Sequence, residues 1–246
     1  MGNVPSVPGF SPGFPAWGPQ RFGYLNIENG TIFGKILYIM SDRGLVITKI
    51  VKYLESELPF LAATTTKYVY TCALAPNFAG WVGLNLIQNR NDGRVGVNSI
   101  IGVVSKQIEA LLERLSPFDQ AFPKPTITTS LGYLMPEKRY QEWLFVPQMN
   151  FDYISEAKKI KQAIELYGLP FMNANASLEA ITEDLEHLRF SFRESVVYRL
   201  PVAYLLGDKT ELAMEYVKRQ LEILNGRQDD AAAKYRAFGD AFLKEV

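Results

Sequence analysis

Few side chains of this sequence could do chemistry. Cys72 is the only cysteine and His187 is the only histidine. A cysteine nucleophile needs a base within hydrogen-bond reach, so these two residues are the candidates for a thiol catalytic pair. Cys72, however, lies in an alternating apolar stretch, and His187 follows several acidic residues in a charged one. We therefore expect Cys72 to be a small buried residue and the pair not to be catalytic.

Paired carboxylates could act as a general acid and base, as they do in glycosidases. Glu137 and Glu142 flank the ends of predicted strands, where such groups are often found. Exposed loop charges are the simpler interpretation, because charged residues are mostly solvated. One alternative function is therefore an enzyme of unrecognised type that uses carboxylates, or tyrosines such as Tyr133 and Tyr140, in a pocket.

Cofactor motifs are missing from the sequence. There is no Gly-x-Gly-x-x-Gly fingerprint and no phosphate loop that ends in Gly-Lys-Ser/Thr. One histidine and one cysteine do not supply the usual sets of zinc ligands. The sequence therefore predicts no cofactor, no metal site and no catalytic residues, and it favours a protein that is not an enzyme.

Contact with another protein has better candidates. Four acidic residues fall within about two turns of a predicted helix, namely Glu179, Glu183, Asp184 and Glu186. They form either a solvated helix face or an acidic docking patch for a basic partner. Trp143 belongs to the core, or else is exposed and anchors an interface. We predict these five residues as partner contacts.

Residues 1–24 stand apart because prolines and glycines alternate with aromatic residues, which include Phe14 and Trp17. Such a chain favours extended conformations without a core of its own. It is either a flexible tail or an arm whose aromatic residues dock on this protein or on a partner. In a third functional hypothesis, a scaffold protein uses this arm for assembly. Gly2 and Ser6 also fit the permissive pattern for N-myristoylation.

Composition indicates an ordinary soluble protein. The 246 residues include 26 basic and 26 acidic ones, so no large basic surface for nucleic acid is expected. We find no apolar run of transmembrane length and no secretory signal. Because a single cysteine cannot form an internal disulfide, we expect a cytoplasmic protein.

The elements that position these residues begin with a central unit. Period-two alternation predicts strands over 67–75 and 81–88, and a turn at Asp92-Gly93 leads to a short return strand over 94–97. Behind it an apolar stripe predicts a helix over 99–115.

The remaining elements surround this unit. We predict a helix over 45–58 and strands over 126–134 and 142–146, whereas the apolar stretch 31–40 fits either a strand or a helix. Five helices follow, starting near 152, 177, 194, 208 and 229, and Asp208 with Glu211 has the spacing of a capping box. The expected fold is α+β, with a small, mostly antiparallel sheet of about four to five strands packed with helices. The expected regions are the 1–24 tail, the 25–150 sheet region and the 151–246 helical region packed on it.

The stretch from Leu200-Pro201 through Leu206-Gly207-Asp208 to Glu211 and Tyr216 resembles bacterial α+β domains found among immunity proteins of polymorphic toxin systems. In that group a Leu-Pro step, a Leu-Gly helix end and an Ala-containing final helix recur. The resemblance covers the chain from Leu45 onward and brings no catalytic residues. It implies a non-enzymatic protein that neutralises a cognate toxin by occluding its active surface.

Overall fold

The computed structural model describes residues 30–88, 94–115, 125–146, 151–190 and 193–246. Strands and helices are numbered in chain order. The strands are β1 Ala62–Ala63, β2 Val69–Ala73, β3 Phe78–Gln88, β4 Val95–Ser105, β5 Ile127–Ser130 and β6 Trp143–Phe145. The helices are α1 Gly30–Glu57, α2 Lys106–Leu115, α3 Leu131–Leu134, α4 Tyr153–Ala163, α5 Leu169–Ala174, α6 Leu178–His187, α7 Arg193–Leu206, α8 Thr210–Ile223 and α9 Asp230–Glu245. A π-helical turn, Ile164–Gly168, joins α4 to α5.

All strand pairs in the sheet are antiparallel, and the order is β1-β2-β3-β4-β5. β6 pairs with β4 on the edge that β5 also uses, but at the opposite end of β4. Between the two, Asn98 of β4 donates from Nδ2 to Ser130 Oγ at 2.9 Å and to the Gln141 carbonyl at 2.7 Å. This buried amide therefore closes the gap between the two short strands. The expected α+β class and its C-terminal helical region are confirmed, with six strands in the described residues.

β4 corrects one prediction. The expected helix over 99–115 begins only at Lys106, because residues 99–105 continue the strand. Ile100, Ile101 and Val103 are β-branched and favour a pleated backbone, and they pair with β3 on one side and β5 on the other. The Ser105 hydroxyl accepts a long hydrogen bond of 3.4 Å from Ile108 N at the true start of the helix.

The predicted capping box at Asp208 and Glu211 is also wrong. α8 begins after Lys209, without a side-chain cap. Asp208 instead has a φ of 57° and helps to close the preceding helix. Its N–H donates to the Leu205 carbonyl at 3.2 Å, and Lys209 N–H donates to the Tyr204 carbonyl at 2.9 Å. Ser177 and Asp229, by contrast, cap α6 and α9 as N-cap residues, with side chains that accept from backbone N–H groups.

The apolar core is one cluster to which the sheet and the C-terminal helices both contribute. One face of the sheet is buried in this cluster, for example by Val82, Ile101 and Val103, each of which is fully buried. α1 and α4 lie against each other, and α5 contacts β3 and β4. The last helices add a set of neighbouring aromatic rings, formed by Tyr198, Tyr235, Phe238 and Phe242.

Candidate functional site

The acidic residues predicted as a docking patch lie on α6. The Ser177 hydroxyl accepts from Ala180 N at 3.1 Å and fixes where this helix begins. Ile181 and Leu185 are fully buried and orient the helix on the core. Glu179, Glu183 and Glu186 are consequently exposed on the outer side.

These three glutamates line a groove between α6 and the end of α7, which we call the acidic groove. Its volume is about 280 Å³. Its other lining residues are Leu178 and Thr182 of α6, Ala203 of α7, Gly207 and Lys209. Three carboxylates therefore face one ammonium group, and the groove is negative.

Neighbouring groups hold the glutamates in place. Glu183 forms an ion pair with Arg189 Nη2 at 3.2 Å. Burial raises the pKa of the Tyr204 phenol, and its hydrogen bond to the Glu186 carboxylate raises that pKa further, so Tyr204 remains a donor to Glu186. α7 also ends beside this groove, and the C-terminus of a helix carries a partial negative charge. The negative potential therefore comes from both helices.

Two of the predicted contact residues require correction. Asp184 is fully buried, because it lies three positions after Ile181 on the inward side of α6. Trp143 is only 5% exposed, because β6 turns Trp143 and Phe145 into the core and Leu144 outward. Neither side chain can reach a partner in this fold. The predicted contacts at Phe14 and Trp17 lie outside the described residues.

The thiol and the imidazole have different environments. The Cys72 sulfur lies against Gly80 and the sulfur of Met172, beneath the sheet. Burial raises the pKa of the Cys72 thiol and disfavours the reactive thiolate. His187 is exposed at the last position of α6. Cys72 is thus the small buried residue that the sequence predicted.

The residues considered for acid–base chemistry are mostly at the surface. Tyr133 and Tyr140 are 53% and 50% exposed, and Glu137 is also exposed. Glu142 is partly buried, and its carboxylate covers the backbone of Gly96. Burial and the nearby Glu142 both raise the pKa of the Tyr140 phenol. None of these four residues lines the acidic groove.

A second groove, which sequence reasoning missed, has basic and aromatic walls. It lies between α1 and the start of α4 and has a volume of about 460 Å³. Lys49 and Lys52 contribute from α1, and the Lys49 ammonium lies 5.4 Å from the centre of the Tyr153 ring. The signal that could have revealed it is the i, i+3 spacing of the two lysines, which places them on one helix face.

The N-terminal segment contains one further sequence motif. Residues 9–13 read Gly-Phe-Ser-Pro-Gly, which matches the spacing of the nucleophile elbow of hydrolases. That elbow requires a strand before the serine and a helix after it, and a Pro/Gly-rich stretch predicts neither. The segment lies outside the described residues.

Two further features are absent from the described ranges. No cluster of three or more His, Cys, Asp or Glu side chains there could hold a metal ion. In the same ranges, no helix combines the length and apolarity needed to cross a membrane.

Comparison with known proteins returned no match to any family model, curated protein or solved structure.

Proposed function

We propose that the protein is a non-enzymatic binding module that holds a basic surface of a partner protein in the acidic groove. The observation that carries this proposal is the convergence of Glu179, Glu183 and Glu186 on one groove, opposite a single lysine. Complementary charge accelerates association and excludes partners of the wrong sign.

The dimensions of the acidic groove favour side chains over a substrate. At about 280 Å³ it lies just below the usual size of small-molecule pockets, which starts at about 300 Å³. An arginine or lysine side chain fits such a volume. Arginine suits it best, because a guanidinium group donates two parallel hydrogen bonds to one carboxylate.

Immunity against a toxin is the specific form of this proposal. A protein of this type blocks its toxin by covering the active surface, which requires a preformed contact site and no chemistry. Toxins that act on nucleic acid need basic surfaces to hold phosphates, and an acidic groove is complementary to such a surface.

The test is co-expression of the tagged full chain with the product of the adjacent gene, followed by measurement of the complex mass. We expect a 1:1 complex. The double variant Glu179→Lys/Glu183→Lys should abolish it, because the groove becomes positive. The matched control is Glu211→Lys/Glu215→Lys, which reverses two exposed glutamates on α8 and should leave the complex intact.

Two results would contradict the proposal at different levels. A complex that tolerates both double variants equally would remove the acidic groove from the interface. A gene without a toxin-like neighbour would count against immunity, while the binding function would then be tested on partners captured by the wild-type chain and lost by the groove variant.

A further inference from the structure

The groove between α1 and the start of α4 is not used by the proposed contact with a partner protein, and we call it the basic groove. Lys49, Lys52 and Tyr53 line it from α1, and residues 151–154 line it from the start of α4. Its volume of about 460 Å³ falls within the range of about 300–1,000 Å³ that is usual for small-molecule sites. The basic groove is therefore large enough to hold one small ligand.

Aromatic rings form two walls of the basic groove. On the α4 side, the rings of Phe151 and Tyr153 meet edge to face, with centres 5.0 Å apart. The Tyr153 hydroxyl donates to the Val146 carbonyl at 3.0 Å, which fixes this wall before any ligand arrives. Tyr53, which is partly buried, forms the wall on the α1 side. Aromatic walls suit a planar ring, and a wall that is already ordered adds little entropic cost to binding.

The two lysines of the basic groove have no acidic partner. Lys49 and Lys52 are exposed, and neither pairs with a carboxylate in the described part of the chain. The Lys49 ammonium instead lies 5.4 Å from the centre of the Tyr153 ring, as a cation–π contact. Both ammonium groups are therefore available to an anion beside the aromatic wall.

The carboxylates nearby are engaged elsewhere. Asp152 lines the basic groove, but its side chain caps α4 by accepting from Ser155 N–H at 2.9 Å. Glu57 of α1 and Glu165 of the π-helical turn share Lys161, at 4.0 and 3.2 Å. Two ammonium groups in the basic groove thus face one carboxylate, and the N-terminus of α4 adds a partial positive charge. The basic groove is positive, although the whole chain has no net charge.

We propose that the basic groove binds a small aromatic anion. The planar ring lies between Tyr53 and the wall of Phe151 and Tyr153, and the acidic group binds the ammonium groups of Lys49 and Lys52. The i, i+3 spacing of the lysines places both on the same side of the ring. A lysine binds carboxylate and phosphate alike as a point charge, so the ligand class includes aromatic acids and mononucleotides.

A small ligand fits this site better than a nucleic acid. Binding of a polyanion requires basic residues along an extended surface, because each neutralised phosphate needs its own cation. The basic groove offers two lysines in one cavity, on a chain with 26 basic and 26 acidic residues. The observations therefore favour a ligand with one ring system and one anionic group.

The experiment is a fluorescence titration of the full chain with anilinonaphthalene sulfonate, an aromatic anion. Phenylnaphthylamine, which has the same rings without the sulfonate, is the matched neutral probe. Lys49→Gln/Lys52→Gln should raise the dissociation constant of the sulfonate probe at least about tenfold, because two charge-assisted contacts are lost. The affinity of the neutral probe should not change.

Two further variants serve as control and second test. Lys218→Gln/Lys244→Gln removes the same charge from exposed positions on α8 and α9 and should leave binding of the sulfonate probe intact. Ile154→Glu adds a negative charge at a 55% exposed residue of the basic groove and should weaken that binding. This variant keeps its fold, because a carboxylate in the first turn of a helix is favourable.

Competition identifies the anionic group. We expect indoleacetate or adenosine monophosphate to displace the sulfonate probe, while indole and adenosine, their neutral counterparts, do not. Displacement by only one of the two anions would support the proposal and assign the site to a carboxylate or to a phosphate.

Several results would overturn the proposal. These are no displacement by either anion, equal probe affinity for the wild type and Lys49→Gln/Lys52→Gln, and tighter binding of a single-stranded oligonucleotide than of the monophosphate. Probe binding that requires deletion of residues 2–24 would also overturn it, by assigning the basic groove to the N-terminal segment. The test is independent of the proposed function, because Glu179→Lys/Glu183→Lys alters the acidic groove and should leave displacement by these anions unchanged.

Discussion

Burial by the fold sets the chemical reactivity of two side chains, Cys72 and Tyr204. Cys72 is 8% exposed, faces Met172 and has a raised thiol pKa, so its nucleophilic form is scarce. Tyr204 remains protonated and hydrogen-bonded to Glu186 because it too is buried. At the scale of the residue, burial makes the thiol inert and makes the phenol a stable support for the acidic groove.

The reactivity of Cys72 tests this directly. We expect the thiol of the native protein to react with Ellman's reagent at least about a thousand-fold more slowly than in urea, because reaction requires an opening of the core. The measurement is the absorbance of released thiolate over time.

The control for this experiment is a Cys72→Ala chain that carries Leu166→Cys, which moves the one thiol to an exposed position. That thiol should react at the same rate in the native and the unfolded protein. Rapid reaction of wild-type Cys72 would contradict its inert environment and revive it as a candidate nucleophile.

At the scale of the element, β4 organises the sheet. It pairs along its full length with β3 and shares its other edge between β5 and β6. The Asn98 side chain lies where the two short strands leave a gap, and it satisfies the Gln141 carbonyl there. The side-chain amide of Asn98 thus makes a hydrogen bond that a backbone N–H group would make in a continuous strand.

Asn98→Ala should lower the free energy of unfolding by about 1–3 kcal/mol, because the partly buried Gln141 carbonyl loses its donor. Asn85 is the matched control, since it lies directly opposite Asn98 in the β3–β4 register but is exposed. Asn85→Ala should change stability by less than about 0.5 kcal/mol. Urea denaturation followed by circular dichroism measures both, and equal effects would contradict the role of Asn98.

Residue patterns predicted much of this architecture, and their failures have physical causes. The two-residue period of β2 and β3 and the apolar stripes of α6 and α9 were sufficient to place those elements. Val104, Ile108 and Leu111 have the spacing of one helix face. The pattern alone therefore could not show that Val104 lies in β4 and only the other two in α2. Pairing with both neighbouring strands, a long-range contact, decides that boundary.

The candidate site was predicted in part for similar reasons. Spacing on α6 identified Glu179 and Glu183 as neighbours, but the orientation of the helix on the core decides that Asp184 is buried. The contribution of α7 to the acidic groove could not be predicted, because it depends on how two helices pack.

At the scale of the whole molecule, a buried ion pair joins the sheet region to the helical region. Arg199 of α7 donates from Nε and Nη2 to both carboxylate oxygens of Glu109 in α2, at 2.8 and 3.0 Å. Thr126 donates to the same carboxylate at 2.8 Å and accepts from Ser105 N–H at 2.8 Å. The Arg199 side chain is only 7% exposed. Removing any one of these side chains would therefore leave another polar group of the network without its hydrogen-bond partner.

Arg199→Met should destabilise the protein by about 3–5 kcal/mol, because it leaves the Glu109 carboxylate largely buried without its counter-charge. Arg199→Met/Glu109→Leu should recover part of that loss, since it removes both charges. Urea denaturation gives the values.

Arg114→Met is the control for this series, because it removes an exposed arginine whose ion pair with Glu245 is worth at most about 1 kcal/mol. A loss at Arg199 no larger than that at Arg114 would show that the network does not hold the two regions together.

The position of β4 at the middle of the sheet also limits how the chain can change in length. β4 pairs with three strands, each in a fixed register. β3 lies on one edge of β4, and β5 and β6 share the other edge. Removing or adding one residue between Gly96 and Ile100 would interchange inward and outward side chains over half of the strand, and would bring Ile100 into the core in place of Ile101. Length variation among descendants of this sequence should therefore be confined to the connections, with β4 constant at eleven residues.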